Sequence, residues 1–280
     1  MYYKGHNKRL NRIAKSIAIN QRNDLSKRTV SDIEKEIREF DLLNTPEGKV
    51  PELSEKLSNL ITGHVRTPYE LNPEGVFRAR KHSDGEVEFN LVSDISYPDW
   101  SKIPKEKHSR GRCHDLGENI FYCSTERDTA IIETWPKHNE IVTLIDFTVV
   151  NPPLKALIQP IGVKHLQQLD NGYKNIFNNY YLSNAGGSKN AAEQNQKIDD
   201  FLNDKFHEHI FKEEEWKYNT TIAITKLLMT GIFVGFLYPS ISAKMKGANF
   251  VFKTDFADRN FRVFNGRMYK VTELTPEYIN

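Results

Sequence analysis

Apolar residues recur every three or four positions through the first 65 residues, which is the spacing of helices that bury one face. The pattern predicts three helical segments. The first covers residues 7–20, the second follows a capping box formed by Ser31 and Glu34, and the third begins at Pro51. We therefore expect residues 1–65 to form an N-terminal helical region that packs on the remainder of the chain.

From Gly75 onward, alternation of apolar and polar residues replaces the helical period in many segments. The predicted strands cover residues 76–80, 87–91, 119–123, 140–150, 235–240 and 249–253. The predicted helices run from Thr125 to Pro136 and over residues 198–206 and 220–230. Residues 170–197 are rich in Asn, Gly, Ser and Gln and are predicted to be a flexible polar insertion. The class is therefore α+β, with a second domain over residues 66–280.

Composition sets the class of protein. The chain has 280 residues, of which 38% are hydrophobic and 11% aromatic, enough for a substantial core. No run of apolar residues approaches the ~18 that a transmembrane helix needs, and the N-terminus lacks the pattern of a signal peptide. The two cysteines, Cys113 and Cys123, provide no disulfide framework. We expect a cytoplasmic protein with reduced thiols and no membrane partner.

Charge is distributed unevenly along the chain. Residues 1–30 contain eight Lys and Arg residues against a single Asp, whereas the whole chain has a net charge of only +2. A basic arm on an acidic body predicts contact with nucleic acid or with an acidic partner. A solvated helix face would show the same composition, so both interpretations stay open.

Several common kinds of site are poorly supported by residue spacing. Cys113 and Cys123 lie ten positions apart with no second pair, and His207 and His209 are two apart on a predicted helix, where they point in different directions. We therefore expect no metal. No base is positioned to activate a cysteine nucleophile, and the chain has no Gly-rich phosphate loop of the Rossmann or Walker type.

The remaining candidates are polar residues dispersed over the predicted core elements. They are Arg78, Arg112, Tyr122, Glu133 and Ser240. Glu133 falls in the last turn of a predicted helix, where unpaired carbonyl groups disfavour a carboxylate by roughly 0.3–1 kcal/mol. A solvated Glu is the simpler explanation of that residue taken alone. Together, these five groups are of the kinds that bind a diphosphate, stack on a flat ring and stabilise a cation.

Four segments in order give the chain a resemblance to the RES-domain family, which is named for a characteristic Arg, Glu and Ser. The matching segments are residues 75–80; Gly111 and Arg112 with 120–124; 129–134; and 235–240 with 249–252. The resemblance covers about residues 66–260, and Tyr218 and Thr221 match a helix of the larger members. The chain departs from the family pattern at Cys113 and His114 and at Val234.

The resemblance implies an ADP-ribosyltransferase-like fold with a mixed or antiparallel β core and flanking helices. It also implies an enzyme that consumes NAD as its substrate by cleaving the nicotinamide–ribose bond, as a glycohydrolase, a phosphorylase or an ADP-ribosyltransferase. Members of this family act as toxins that are paired with a helix-turn-helix antitoxin, which is the partner the resemblance implies here.

Carried onto this sequence, the resemblance assigns catalysis to Arg78, Glu133 and Ser240. It assigns NAD binding to Arg78, Arg112, Tyr122 and Ser240. Bond cleavage of this type passes through a transition state with oxocarbenium character, which a carboxylate can stabilise. Two alternatives remain open: a nucleic-acid-binding module that uses residues 1–30, and a catalytically inactive RES-like protein that acts by interaction.

Overall fold

The structure is a computed structural model. It describes residues 16, 20–21, 23–64, 69–71, 75–82, 109–151, 154, 156–169, 174, 177–231, 233–240, 242–244 and 247–272. The helices are α1 (Val30–Leu43), α2 (Val50–Leu60), α3 (Arg127–Ile132), α4 (Val163–Leu166), α5 (Tyr180–Asn184), α6 (Lys189–His207), α7 (Tyr218–Leu228) and α8 (Thr254–Asn260), with a 3-10 helix over Lys212–Lys217. The strands are β1 (Tyr69–Leu71), β2 (Gly75–Lys81), β3 (Phe121–Ser124), β4 (Ile141–Val149), β5 (Ala156–Pro160), β6 (Gly235–Pro239), β7 (Ala248–Phe252) and β8 (Phe261–Lys270).

The strands form one mixed sheet in the order β1-β5-β6-β7-β3-β2-β4-β8. Only β5 and β6 run parallel, and the other neighbouring pairs are antiparallel. The predicted α+β class is confirmed. At the centre of the sheet, β2 and β3 pair through a single residue pair, Phe77 with Ser124, whereas β2 and β4 pair along seven positions. The two halves of the sheet are therefore joined narrowly, and the candidate site lies at this junction.

Alternation along the central strands divides the core between the two faces of the sheet. On β6, Phe236 and Tyr238 pack into a cluster that includes residues of α1, α2, α6 and α7, whereas Leu237 packs into a second cluster on the opposite face. On β7, Val251 joins the first cluster, and Phe250 joins the second. The sheet is thus covered by apolar side chains on both faces, as its nearly continuous hydrophobic strands require.

The N-terminal helices pack directly on the body. Leu53, Leu57 and Leu60 of α2 are buried in the same cluster as the sheet residue Phe236, because their spacing places them on one face of the helix. The capping box of α1 is formed by Thr29 and Asp32, two residues before the predicted Ser31 and Glu34. The predicted helix over residues 7–20 lies almost entirely outside the described residues.

The prediction of a flexible insertion over residues 170–197 needs correction. The second part of the supposed flexible insertion is the start of the 19-residue helix α6, which Ser188 caps by accepting a hydrogen bond from the Ala191 amide at 3.3 Å. Gln194 and Asn195 on α6 are fully buried, so the polar composition of this segment reflects buried amides as well as solvent-facing residues. Strands β1, β5 and β8 were not predicted. The predicted strand over residues 87–91 lies outside the described residues.

Helix α3 begins later than the sequence predicts. Its N-cap is Glu126, and no side chain caps it, whereas the sequence predicts that the helix starts at Thr125. The Thr125 hydroxyl instead accepts a hydrogen bond from the Ala248 amide at 3.2 Å, so it links this loop to β7. The helices of the described part of the chain include none that is both long and apolar enough to cross a membrane.

Candidate active site

A cavity of about 520 Å³ opens where β2 and β3 separate. Such a volume is within the range of small-molecule and cofactor sites. Four of the five predicted residues line it: Arg78 from β2, Tyr122 from β3, Arg112 from the preceding loop and Glu133 from the end of α3. Arg78 and Glu133 are 55 positions apart in the chain. They line the same cavity because the antiparallel pairing of β2 with β3 brings these two strands together.

Glu133 is the best-anchored group of the cavity wall. It is the C-cap of α3, where the helix dipole disfavours a negative charge. Three side chains compensate for that location: Ser240 donates to Oε1 at 2.5 Å, Asn249 donates to Oε1 at 2.8 Å, and Tyr122 donates to Oε2 at 3.1 Å. A carboxylate offers about four acceptor positions, so one on Oε2 remains for a ligand hydroxyl.

Ser240 is the one predicted residue that does not line the cavity. Its side chain is fully buried behind Glu133, and its hydroxyl also accepts a hydrogen bond from the Ala243 amide at 3.1 Å. In the structure its hydroxyl donates to the Glu133 carboxylate and not into the cavity. Contact between Ser240 and NAD stays a prediction.

Arg78 crosses the junction between the two halves of the sheet. It is half-buried, and its Nη1 donates to the Tyr122 carbonyl at 2.6 Å, which ties β2 to β3 where their backbone pairing has ended. Burial lowers the pKa of Arg78 to about 10, so the guanidinium remains charged at neutral pH. The cavity wall therefore carries a fixed cation next to β3.

Arg112 makes a hydrogen-bonded contact that the sequence did not predict. Both of its terminal nitrogens donate to the Glu208 carbonyl at 3.1 Å, at the C-terminal end of α6. A cation at this position complements the unpaired carbonyls of the helix end. Arg112 thus lines the cavity and also fixes the chain segment that leaves α6.

Two phenols, the half-buried Tyr122 and the buried Tyr238, connect the carboxylate to the core. Tyr238 donates its hydroxyl to that of Tyr122 at 2.8 Å, and Tyr122 in turn donates to Glu133. Burial, reinforced by Glu133, raises the pKa of Tyr122 well above its ordinary value, and burial also raises the pKa of Tyr238. Both phenols therefore remain protonated and act as donors over the whole neutral range.

The cysteines and histidines of the cavity are not arranged for nucleophilic or metal chemistry. Burial raises the pKa of Cys113 to about 12, so its thiol stays protonated, and burial raises the pKa of Cys123 as well. Burial and the nearby Arg78 lower the pKa of His114. No group of three His, Cys, Asp or Glu side chains is placed to hold a metal ion within the described ranges.

Asn249 and Tyr238 were missed as site residues. Each is a polar side chain on a strand whose other residues are apolar and buried, and Asn249 also accepts a hydrogen bond from Ser124 at 2.7 Å. A buried amide inside an apolar strand needs partners, so this local contrast is the signal that could have found it.

Comparison of the chain with protein-family models, with curated proteins and with solved structures gives no significant match. The site must therefore be interpreted from its own geometry.

Proposed function

We propose that this chain is an NAD-consuming enzyme that cleaves the bond between nicotinamide and ribose. The observation that carries the proposal is the Glu133 carboxylate, which lines the cavity and is held by three hydrogen bonds. The Arg78 guanidinium lines the same cavity. The α+β fold with a mixed sheet and flanking helices agrees with the ADP-ribosyltransferase-like core that the resemblance to the RES-domain family implies. In the proposed reaction NAD is the substrate, and no metal takes part.

The chemistry follows from the charges in the cavity. As the glycosidic bond breaks, its electron pair goes to the ring nitrogen, nicotinamide leaves as a neutral molecule, and positive charge develops on the ribose. A fixed carboxylate next to that charge stabilises the transition state without reorganising. The acceptor position left on Glu133 Oε2 suits a ribose hydroxyl, and Arg78 suits the diphosphate, since a guanidinium matches its oxygens.

The incoming nucleophile decides the subclass of the enzyme. Water would give a glycohydrolase, inorganic phosphate would give a phosphorylase, and a side chain of another protein would give an ADP-ribosyltransferase. In each case the nucleophile forms a bond to the ribose carbon and releases a proton to solvent. Reaction of purified protein with NAD alone, with phosphate, or with a cell extract that supplies acceptor proteins, followed by identification of the ribose-containing product, separates these outcomes.

Glu133→Gln is the decisive variant. It keeps the shape of the side chain but removes the charge, so we expect nicotinamide release to fall about 100-fold or more. Asp128→Asn is the matched control, because Asp128 is exposed on the same helix and does not line the cavity. Release of nicotinamide by Glu133→Gln at the wild-type rate, or no release by the wild-type protein with NAD alone, with phosphate or with the cell extract, would contradict the proposal.

The biological setting rests on the resemblance alone. We propose a toxin that depletes NAD in the cytoplasm and is neutralised by a helix-turn-helix antitoxin. Expression of the wild-type chain should then stop growth, and expression of Glu133→Gln to the same level should not. The nucleic-acid-binding alternative concerns residues 1–30, most of which lie outside the described residues. It stays a prediction, which deletion of that segment tests through the salt dependence of binding.

A further inference from the structure

The cavity has an aromatic rim that none of the catalytic assignments uses. Trp135 and His209 both line the cavity, and both are exposed, with 55% of Trp135 accessible to solvent. Their ring centroids lie 5.5 Å apart with an angle of 66° between the planes, so the edge of one ring supports the other. The His209 ring also contacts Phe211 at 4.5 Å.

The chain segment that carries His209 is anchored on both sides of that residue, at Glu208 and at Glu214. Arg112 binds the Glu208 carbonyl just before it, and Lys217 forms ion pairs of 2.8 Å with Glu208 and with Glu214 just after it. The segment that carries His209 is therefore anchored to the cavity wall, and Trp135 rests against a fixed neighbour.

Trp135 also has an unusual backbone conformation. Its φ angle is 49°, in the left-handed region that bulky side chains rarely adopt, and Pro136 follows it directly. The Trp135 amide donates to the Ile132 carbonyl at 2.9 Å, which holds the turn. Strain of this kind persists where the surrounding structure fixes it and is concentrated at functional sites. This turn places the Trp135 indole at the solvent-exposed wall of the cavity and not in the hydrophobic core.

Trp135 lies two residues after Glu133, so their Cα atoms are at most ~7 Å apart. We propose that Trp135, supported by His209, is the platform on which the flat, positively charged nicotinamide ring of NAD stacks. The proposal rests on the function proposed above and assigns the ring a place beside the carboxylate that faces the ribose.

The physical basis is the attraction between a cationic ring and the electron-rich face of an indole. This attraction is present while nicotinamide is bonded to ribose and carries its charge. It weakens when the bond breaks, because the electron pair neutralises the ring. Trp135 therefore binds the substrate more strongly than the released nicotinamide, and its removal should raise KM without lowering kcat.

The test measures binding of two ligands by calorimetry. One is an NAD analogue in which a methylene replaces the ribose ring oxygen, so that the cationic ring is kept and cleavage is prevented; the other is ADP-ribose, which lacks the ring. In Trp135→Gly we expect the Kd of the analogue to rise about tenfold and that of ADP-ribose to stay unchanged. Trp135→Phe, which keeps a ring, should lose less affinity.

Two features make the variants informative. Glycine tolerates the positive φ of residue 135, so Trp135→Gly should fold with a melting temperature at or above that of the wild type. Trp216→Ala is the control, because Trp216 does not line the cavity, and it should leave both affinities unchanged.

The outcomes separate this inference from the function on which it rests. An unchanged Kd of the analogue in Trp135→Gly, or an equal loss for both ligands, overturns the platform even if the wild-type protein cleaves NAD. A wild-type protein that binds neither ligand and releases no nicotinamide overturns the proposed function, and the platform with it.

Discussion

Replacing Ser240 by alanine tests whether this serine acts on the ligand or through Glu133. The side chain is fully buried, and its hydroxyl donates to Glu133 Oε1 at 2.5 Å. Ser240→Ala removes one of three donors to the carboxylate and leaves the Ala243 amide without its side-chain acceptor. Little volume is lost, so the change is mainly one of hydrogen bonding.

The magnitude follows from the charge on the acceptor. A hydrogen bond to a charged group contributes about 1.5–3 kcal/mol. If Glu133 must be held in one orientation to stabilise the transition state, a loss of that size lowers kcat about 10- to 150-fold. KM should change little, because Ser240 does not line the cavity.

The assay is steady-state release of nicotinamide from NAD by the wild type, Ser240→Ala, Glu133→Gln and the double variant. We expect Ser240→Ala to have little further effect once Glu133 has lost its charge, since the two residues act as one unit. Ser124→Ala is a comparison variant: this buried serine lines the cavity but is one hydrogen bond further from Glu133, through Asn249, so its effect on kcat should be smaller.

Two results would refute this reasoning. A raised KM with an unchanged kcat would indicate that Ser240 touches the ligand, as the sequence first suggested. Additive losses in the double variant would indicate that Ser240 and Glu133 act independently.

Three further outcomes follow from the structure. Gly162→Ala should destabilise the protein by about 1–3 kcal/mol in urea unfolding, because φ is 66° and a Cβ would lie 2.0 Å from Asn203 Oδ1; Gly187→Ala, at φ 86° with nothing within 4 Å, should cost less. Burial raises the pKa of Asp199 from 3.8 to about 6, so the folded state holds this proton more tightly than the unfolded state. The contribution of Asp199 to stability, measured against Asp199→Asn, should therefore be largest below pH 4 and fall by on the order of 3 kcal/mol as pH rises to above 6; a difference that is flat or rises with pH contradicts this. Arg78→Lys should raise the KM for NAD about tenfold, because lysine cannot form the planar fork that fits a diphosphate; an unchanged KM would exclude Arg78 from diphosphate binding.

Two predicted residues make contacts in the structure that the sequence did not predict. Ser240 supports Glu133 from behind, and Arg112 holds the end of α6 through the Glu208 carbonyl. The sequence identified chemically suitable residue types in both cases. It could not identify their partners, because each partner lies more than 90 positions away in the chain.

Local physical chemistry in the sequence determined most of the secondary structure. Helix α2 and strand β4 were predicted within a residue or two, because each has an uninterrupted apolar period of its own kind. The start of α6 was missed, since its first turns are polar and bury amides that only tertiary partners can satisfy. Strand β8 was missed because its residues are mostly exposed at the edge of the described sheet, so no alternation marks it.

The sequence by itself determined which elements form, the α+β class and the kinds of charged and aromatic groups available for a site. Only the tertiary structure decided that Arg78, Tyr122 and Glu133 share one cavity, that Asn249 belongs with them and that Ser240 lies behind them. The physical reason is that short-range periodicity sets how a segment folds, whereas pairing of distant strands sets which side chains meet. That pairing is decided by burial of the whole core at once.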